Sequence, residues 1–248
     1  MNEIKINSKY VNNITFIEMN NPPVNALSTC FLSDLSKALD KIPADAKVVV
    51  FKSLVKGFSA GADLKERAYM DDKSAIDTVS DIGELFQKIE SISCPTIARI
   101  EGFALGGGLE LALSCDFRFA TNNSVLGLPE TNLGIIPGAG GTQRLVRLIG
   151  LSKAKKWIFT AKRFDAVKAL EDGVIDKLFN ASEQMDDFID KFASDIKCNS
   201  QSAVSLSKKA INYAYGNSLE EGLSFERKQY LKTLDNPDRL ENLEKFKK

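Results

Sequence analysis

The sequence predicts an α/β fold, because short runs of β-branched and aromatic residues alternate with segments of helical periodicity over the first two thirds of the chain. The composition agrees, since 44% hydrophobic and 27% charged residues are ordinary values for a folded protein. The last third is predicted to be helical. With 248 residues, we expect a core over residues 1–190 and a helical region over residues 191–248.

The first elements are predicted to be a strand, a helix and a second strand. Residues 13–19 (NITFIEM) are rich in strand-forming residues, and the Asn and Pro residues that follow predict a loop. Ser28 or Thr29 can cap a helix whose apolar residues recur at helical spacing from Phe31 to Ile42. Residues 47–51 (KVVVF) are typical of a strand that is buried on both faces. This order predicts a parallel crossover.

The same order repeats along the chain. A loop (KGFSAGADLKE, 56–66) is followed by a long polar helix, a strand (PTIARIEG, 95–102), a helix that begins at three glycines, and another strand (DFRFAT, 116–121). After residue 150, amphipathic helices predominate, and one of them carries five apolar side chains on one face: Met185, Phe188, Ile189, Phe192 and Ile196.

The terminal helices keep an apolar stripe, formed by Leu219, Leu223, Leu231, Leu234, Leu240, Leu243 and Phe246. We expect this stripe to pack on another subunit, because no further strands are predicted there for it to cover. The alternative is that it folds back on the core of its own chain.

Composition excludes several classes of protein. Lys plus Arg equals Asp plus Glu at 33 each, so no net charge draws the chain to nucleic acid or to an anionic membrane. The four cysteines form no CxxC pair and are interpreted as reduced thiols. No apolar segment approaches the ~18 residues that a membrane helix needs, and no signal-peptide pattern is present. We therefore predict a cytoplasmic protein.

The chain contains no histidine. This excludes Ser-His-Asp and Cys-His catalysis and the usual zinc sites with histidine ligands. Acid–base chemistry must then use carboxylates, lysine, tyrosine or cysteine. Cys115 is interpreted as a small buried apolar residue, because no basic partner lies at helical spacing from it.

Three glycine-containing segments are candidates for ligand binding, but nucleotide binding is disfavoured. In GAGGTQ (138–143), Gln143 stands where a dinucleotide motif needs glycine or alanine, and no GK[ST] follows any glycine run. Glycines at a helix start instead let a ligand approach unpaired backbone N–H groups. GGGLE (106–110) is therefore a candidate oxyanion site, and SAGAD (59–63) is the best candidate for a second N–H donor.

Two glutamates accompany these segments. Glu110 lies in the first turn of the glycine-led helix, where it is either a helix cap or a catalytic group, and Glu130 lies in a loop segment where a solvated acid is the default. Together they can divide acid and base work if their proximity keeps one protonated. Because the helix dipole is expected to lower the pKa of Glu110, Glu130 is the expected holder of the proton.

The segments FSAGADLKE, GFALGGGLELALSCDFRFA and LGLPETNLGIIPGAGGTQRL, in this order and spacing, resemble the enoyl-CoA hydratase/isomerase (crotonase) family. NPPVNALS and NPDRLENLEKF extend the resemblance over nearly the whole chain. ADLKERA and DRLENLEKFK are similar to the methylglutaconyl-CoA hydratase branch, and NPPVNALS and LGLPETNLGIIPG to bacterial short-chain enoyl-CoA hydratases. The resemblance implies a spiral of ββα units followed by helices that build a homotrimer, or a hexamer of two trimers.

The resemblance also implies residue roles. The N–H groups of Ala62 and Gly107 correspond to the oxyanion hole, which holds the thioester oxygen of an acyl-CoA. Glu110 and Glu130 correspond to a catalytic pair that adds water to a 2-enoyl-CoA and yields a 3-hydroxyacyl-CoA, with Glu110 activating the water and Glu130 delivering a proton to Cα. No metal or redox cofactor is implied, and coenzyme A is part of the substrate.

Further contacts with the substrate follow from the same resemblance. They are assigned to Val24, Ala60, Asp63, Leu64, Lys65 and Gly138. Phe246 corresponds to an aromatic residue that reaches the adenine pocket of a neighbouring subunit, and the basic residue that usually follows is absent or shifted to Lys247 or Lys248. Two alternatives stay open: an isomerase, decarboxylase or other enolate-forming enzyme of the same fold, and an acyl-CoA-binding subunit without catalysis.

Overall fold

The computed structural model describes residues 5–247, which form a central sheet with helices on both faces. The strands are β1 (Lys5–Val11), β2 (Ile14–Asn20), β3 (Ala26–Leu27), β4 (Val48–Ser53), β5 (Gly61–Ala62), β6 (Thr96–Ile100), β7 (Phe103–Leu105), β8 (Phe117–Thr121), β9 (Val125–Gly127), β10 (Arg163–Asp165) and β11 (Lys177–Phe179).

The helices are α1 (Thr29–Asp40), α2 (Leu64–Arg67), α3 (Asp72–Glu90), α4 (Gly107–Leu113), α5 (Gly141–Ile149), α6 (Leu151–Phe159), α7 (Ala166–Asp172), α8 (Ser182–Lys197), α9 (Gln201–Tyr213), α10 (Leu219–Leu231) and α11 (Pro237–Glu244). A 3₁₀ helix spans Glu130–Leu133.

The central sheet has six strands in the order β1-β2-β4-β6-β8-β11. Only the pair β1 and β2 is antiparallel, and the other neighbours are parallel. The predicted crossover is confirmed, because β2 and β4 pair in parallel on either side of α1. The side chain of Ser28 accepts a hydrogen bond from the N–H of Phe31 and caps this helix, as one of the two predicted residues.

Between strands of the central sheet, the chain passes through a second layer of short strands. Strand β2 is followed by β3 and α1, β4 by β5 and α2, and β6 by β7 and α4. The short strands pair with each other in parallel, β3 with β5 and β7 with β9, and a bridge between Ser59 and Ala104 joins the two small sheets. The repeated order of two strands and a helix makes a spiral, so the predicted α/β fold of ββα units is confirmed.

The hydrophobic core lies on both faces of the central sheet. In β4, Val48 and Val50 belong to a cluster with residues of α8, whereas Val49 and Phe51 face the larger cluster that includes residues of α1 and α3. All four side chains are fully buried. The unbroken apolar run in this strand is therefore the consequence of burial on both faces, as predicted.

The last third of the chain is not entirely helical, which corrects the prediction. Strand β11 forms the edge of the central sheet next to β8. This three-residue strand is too short to show an alternating pattern, so periodicity alone misses it. In α8, Met185 and Ile189 are buried against the sheet, as the apolar face of this helix predicts. The division at residues 190 and 191 stays a prediction, and that boundary falls inside α8.

The terminal helices leave most of their apolar stripe uncovered. Leu219 is 79% exposed and Phe246 is 83% exposed, and Leu223, Leu231, Leu240 and Leu243 are exposed as well, whereas Leu234 is half-buried. Helix α9, which precedes the stripe, contacts the edge of β8 through an ion pair between Lys208 Nζ and Asp116, the residue before this strand, at 2.7 Å. The alternative in which the stripe packs on its own core is wrong for the exposed residues.

Candidate active site

The site begins where α4 meets the loop before β5. Gly106 has φ 53°, a left-handed conformation that glycine adopts without strain, and α4 begins at the next residue. A Cβ atom on Gly108 would lie 2.3 Å from the carbonyl oxygen of Ser59. The glycines at this helix start are therefore required by the close approach of the neighbouring backbone, in addition to any ligand.

Two backbone nitrogens come together at this contact. A Cβ atom built on Gly61 would lie 2.9 Å from the nitrogen of Gly107, and one built on Gly107 would lie 3.6 Å from the nitrogen of Ala62. The N–H of Gly107 is at the first helical position, which has no acceptor within the helix. The structure thus places both predicted oxyanion residues side by side, and their role stays a prediction.

Two residues that sequence reasoning missed hold the loop before β5. Asn25 is fully buried, and its Nδ2 donates to Ser53 Oγ at 2.8 Å and to the carbonyl of Phe58 at 3.0 Å. Ser59 Oγ donates to the carbonyl of Asn25 at 2.7 Å and accepts from the N–H of Gly61 at 3.1 Å. Their sequence signal is weak, because Asn and Ser are common in loops without any such function.

Glu110 lies in the first turn of α4 with its carboxylate directed at the start of α5. Its Oε1 accepts hydrogen bonds from the N–H of Ala139 at 2.9 Å and from that of Gly141 at 2.7 Å. Its Oε2 accepts no hydrogen bond from residues 5–247. The carboxylate does not cap its own helix, so the alternative of a simple helix cap does not describe its contacts.

Glu130 opens the 3₁₀ helix and lies on the other side of Gly106. A Cβ atom on Gly106 would be 2.9 Å from Glu130 Oε1. The residue is only 8% exposed, and its Oε2 is buried without a hydrogen-bond partner among the described residues. The alternative of a solvated loop acid is therefore wrong. A buried carboxylate oxygen without a partner is costly and marks a place where a ligand or a proton is expected.

The two glutamates are close enough to influence each other's ionisation. Burial raises the pKa of Glu130 to about 7, opposed by its own backbone N–H and assisted by the negative charge of Glu110. Burial also raises the pKa of Glu110, although the N–H groups of Gly141 and Ala139 and the charges of Arg144 and Arg67 oppose the rise. The expected lowering of the Glu110 pKa is wrong in its net direction, because burial is the largest influence on this carboxyl group.

The predicted substrate contacts near the start of α2 lie around one loop. The N–H of Ala60 donates to the carbonyl of Val24 at 3.0 Å, so these two residues are adjacent. Asp63 accepts hydrogen bonds from the N–H groups of Lys65 and Glu66 and caps α2. Leu64 and Lys65 are exposed. Their contacts with a substrate stay predictions.

The two remaining predicted contacts lie elsewhere. Gly138 is exposed beside α3, where a Cβ atom would lie 2.8 Å from Val79 Cγ1. Phe246 is exposed just beyond α11, and Lys247 follows it. Lys248 lies outside the described residues. Cys115 is buried, and burial raises the pKa of its thiol to about 12, in agreement with an apolar role.

Comparison with known proteins identifies the class of protein that this fold and site define. The family model described as enoyl-CoA hydratase/isomerase matches residues 9–248. A crystal structure of enoyl-CoA hydratase from Bacillus anthracis superposes with a TM-score of 0.93 at 40% sequence identity, covering 98% of this chain and 95% of that one. The protein therefore belongs to the enoyl-CoA hydratase/isomerase family and has the crotonase fold.

Individual relatives carry related names. The chain is 43% identical to a probable mitochondrial enoyl-CoA hydratase 2 of Arabidopsis thaliana, over 98% of this chain and 82% of the relative. It is 44% identical to the mitochondrial methylglutaconyl-CoA hydratase of Mus musculus, over 90% of this chain and 73% of the relative. Within residues 5–247, each helix is too short or too polar to cross a membrane.

Proposed function

We propose that the protein is an enoyl-CoA hydratase, which adds water to the double bond of a 2-enoyl-CoA and yields a 3-hydroxyacyl-CoA. The observation that carries the proposal is the pair of buried carboxylates next to two adjacent backbone nitrogens. One carboxylate, Glu130, has a pKa near neutrality and an unpartnered oxygen, while the other, Glu110, is held by two N–H donors.

The proposed reaction uses each group in turn. The thioester oxygen lies between the N–H groups of Ala62 and Gly107, which stabilise the negative charge that builds on it as water attacks Cβ. Glu110, ionised, accepts a proton from the attacking water, and Glu130, protonated, gives its proton to Cα as the enolate collapses. The hydroxyl of the product comes from the water, and no metal or redox cofactor is proposed.

Hydration is tested by incubating the protein with crotonyl-CoA. We expect a product heavier by one water in the mass spectrum, together with loss of the conjugated double bond. The proposal is overturned if no short, medium or branched 2-enoyl-CoA is hydrated. Interconversion of 2-enoyl-CoA and 3-enoyl-CoA without hydration would instead support the isomerase alternative, and tight CoA binding without reaction would support a binding subunit.

A second candidate, methylglutaconyl-CoA hydration, is favoured by Arg67. Its guanidinium lies near enough to Glu110 to oppose the rise in that residue's pKa, and it forms no ion pair of 4.0 Å or less within the described part of the chain. A glutaconyl thioester carries one free carboxylate at the end opposite the thioester, which an unpaired arginine can bind. Arg67→Met is expected to lower kcat/KM for 3-methylglutaconyl-CoA at least tenfold more than for crotonyl-CoA. Equal losses for the two substrates would exclude this selectivity.

A homotrimer or a hexamer of two trimers is the proposed assembly. The exposed stripe on α10 and α11 supports it, because large apolar side chains on one helical face usually mark a subunit contact. Light scattering of the purified protein is expected to give three or six times the 27.3 kDa chain mass. The cytoplasmic location stays a prediction, and relatives named above include mitochondrial proteins.

A further inference from the structure

Arg144 joins the segment that holds Glu110 to the end of α3. Its Nη1 donates to the carbonyl oxygen of Ala139 at 2.9 Å, and its Nε and Nη2 donate to Glu90 Oε2 at 3.2 Å and 2.9 Å. The side chain is only 14% exposed, and Glu90 is the last residue of α3. One guanidinium therefore contacts two separate elements with three donors, a geometry that the short ammonium of lysine cannot reproduce.

Ala139 connects Arg144 with Glu110 through its two backbone groups, because its carbonyl oxygen accepts a hydrogen bond from Arg144 and its N–H donates one to Glu110. The N–H of Ala139 donates to Glu110 Oε1, and so does the N–H of Gly141. Gly140 lies between Ala139 and Gly141 and has φ 105°. Because glycine has no Cβ atom, its backbone has few intrinsic conformational restraints. A Cβ atom on Gly140 would lie against the guanidinium of Arg144, so the arginine covers the segment closely.

We propose that Arg144 is a positioning residue for Glu110: it fixes the backbone of residues 139–141 against α3 through Glu90 and so keeps the two N–H donors aimed at Oε1. The proposal rests on the proposed hydration, in which Glu110 activates water. The positive charge of Arg144 also opposes the rise in the pKa of Glu110, which favours the ionised form that a base requires.

Four variants test the proposal in the full-length protein: Arg144→Met, Arg144→Lys, Glu90→Gln and, as matched control, Arg147→Met. Arg147 lies one turn further along α5 and is exposed, and its side chain bonds only to Gln143 within residues 5–247. We expect Arg144→Met to lower kcat for crotonyl-CoA at least tenfold with KM changed less than threefold, because an orienting contact acts on the chemical step. Arg147→Met is expected to stay within twofold of the wild type.

The pH profile separates positioning from a general loss of structure. Removing the cation in Arg144→Met raises the pKa of Glu110, so the acidic limb of kcat/KM moves to higher pH. Arg144→Lys keeps the charge and loses the carbonyl contact, so it lowers kcat and moves the limb upward less than Arg144→Met does, because only the weakened N–H bonds to Glu110 raise its pKa. Glu90→Gln leaves the cation in place and gives a smaller loss of kcat, with a smaller shift of the limb than in Arg144→Met. A profile that moves equally in all three variants overturns the proposal.

A readout independent of turnover distinguishes failure of this proposal from failure of the proposed function. Amide hydrogen exchange of Ala139 and Gly141 reports the two N–H bonds directly, because exchange requires their opening. We expect at least tenfold faster exchange at both amides in Arg144→Met and no change in Arg147→Met. Unchanged exchange overturns the positioning role whether or not the wild type hydrates crotonyl-CoA. If the wild type hydrates no enoyl-CoA but Arg144→Met still shows faster exchange, the structural role of the Arg144 contact is supported and its role in catalysis is overturned.

Discussion

The two glutamates of the site differ in secondary structure and in the number of hydrogen-bond donors around their carboxyl groups. Glu110 stands on a helix, and two N–H donors from residues 139–141 fix its Oε1. Glu130 stands on a 3₁₀ turn, and its Oε2 is buried without a partner in the described part of the chain. Burial is the largest cause of the raised pKa in both glutamates, and it is opposed at Glu110 by two N–H donors and two arginines, whereas at Glu130 the charge of Glu110 adds to it.

The largest expected effect comes from neutralising either carboxylate. Glu110→Gln and Glu130→Gln should each lower kcat for crotonyl-CoA by about 100- to 10,000-fold, since acid–base groups contribute on that order. Steady-state kinetics with KM reported separately is the measurement. Full hydration activity in Glu130→Gln would show that the unpartnered carboxyl group of Glu130 has no role in the reaction.

A matched pair of glycine variants disturbs the two regions one at a time. Gly141→Ala would place a Cβ atom 2.9 Å from Glu110 Oε1, and Gly106→Ala would place one 2.9 Å from Glu130 Oε1. Each should lower kcat by about tenfold, which is less than the about 100-fold expected for a 1 Å displacement of a reacting group, because a shift of a few tenths of an ångström relieves a 2.9 Å contact.

Because Gly106 has a positive φ, its variant also carries backbone strain, and Gly216→Ala supplies the control. Gly216 has φ 86° and open space around its Cβ position, in the turn between α9 and α10. Melting temperatures should fall in both variants, but kcat only in Gly106→Ala. A similar loss of kcat in Gly216→Ala would attribute the effect to strain alone.

The pH dependence of the reaction depends on the raised pKa of Glu130. The pKa of Glu130 is raised to about 7, so the protonated form that donates to Cα disappears above that pH. In the wild type kcat/KM should fall about tenfold per pH unit on the basic side, with the midpoint near neutrality. The limb should be lost from the residual activity of Glu130→Gln. A basic limb that persists unchanged in Glu130→Gln would mean that Glu130 is not the proton donor.

The smallest expected effect is on stability. A carboxyl whose pKa is higher in the folded than in the unfolded chain costs stability as pH rises above the unfolded value of 4.5, and the cost is complete above about 7. Glu130→Gln should therefore be more stable than the wild type at pH 8, by about 3 kcal/mol for a shift from 4.5 to about 7, and gain little at pH 4. Urea unfolding at the two pH values measures this. An equal difference at both values would contradict the raised pKa.

Much of the fold could be predicted from the sequence. The apolar run of β4, the cap at Ser28 and the apolar face of α8 each follow from local patterns, because burial on two faces, capping and amphipathicity leave a periodic or positional signal. The two- and three-residue strands of the second layer could not be predicted. They are too short to show an alternating hydrophobic pattern, although β5 contributes Ala62 to the site.

The candidate site could likewise be predicted only in part. The glycines at the start of α4 indicate an oxyanion site from the sequence alone, whereas Glu110 and Glu130 each have a plausible structural explanation when considered singly. The resemblance to the enoyl-CoA hydratase/isomerase family indicates that the two glutamates act as a pair. Asn25, Ser59 and Arg144 were missed, because each contacts a residue more than 30 positions away in the chain, and such contacts leave no local pattern.

The residue types available for chemistry follow from the sequence: no histidine, two glutamates near glycine-rich turns, and apolar patterns that build an α/β spiral. The environment of those residues depends on the tertiary structure. The pKa of a carboxyl group depends on the water removed from it and on the donors and charges that surround it. Those surroundings come from segments far apart in the chain, such as residues 139–141 around Glu110 and Gly106 beside Glu130.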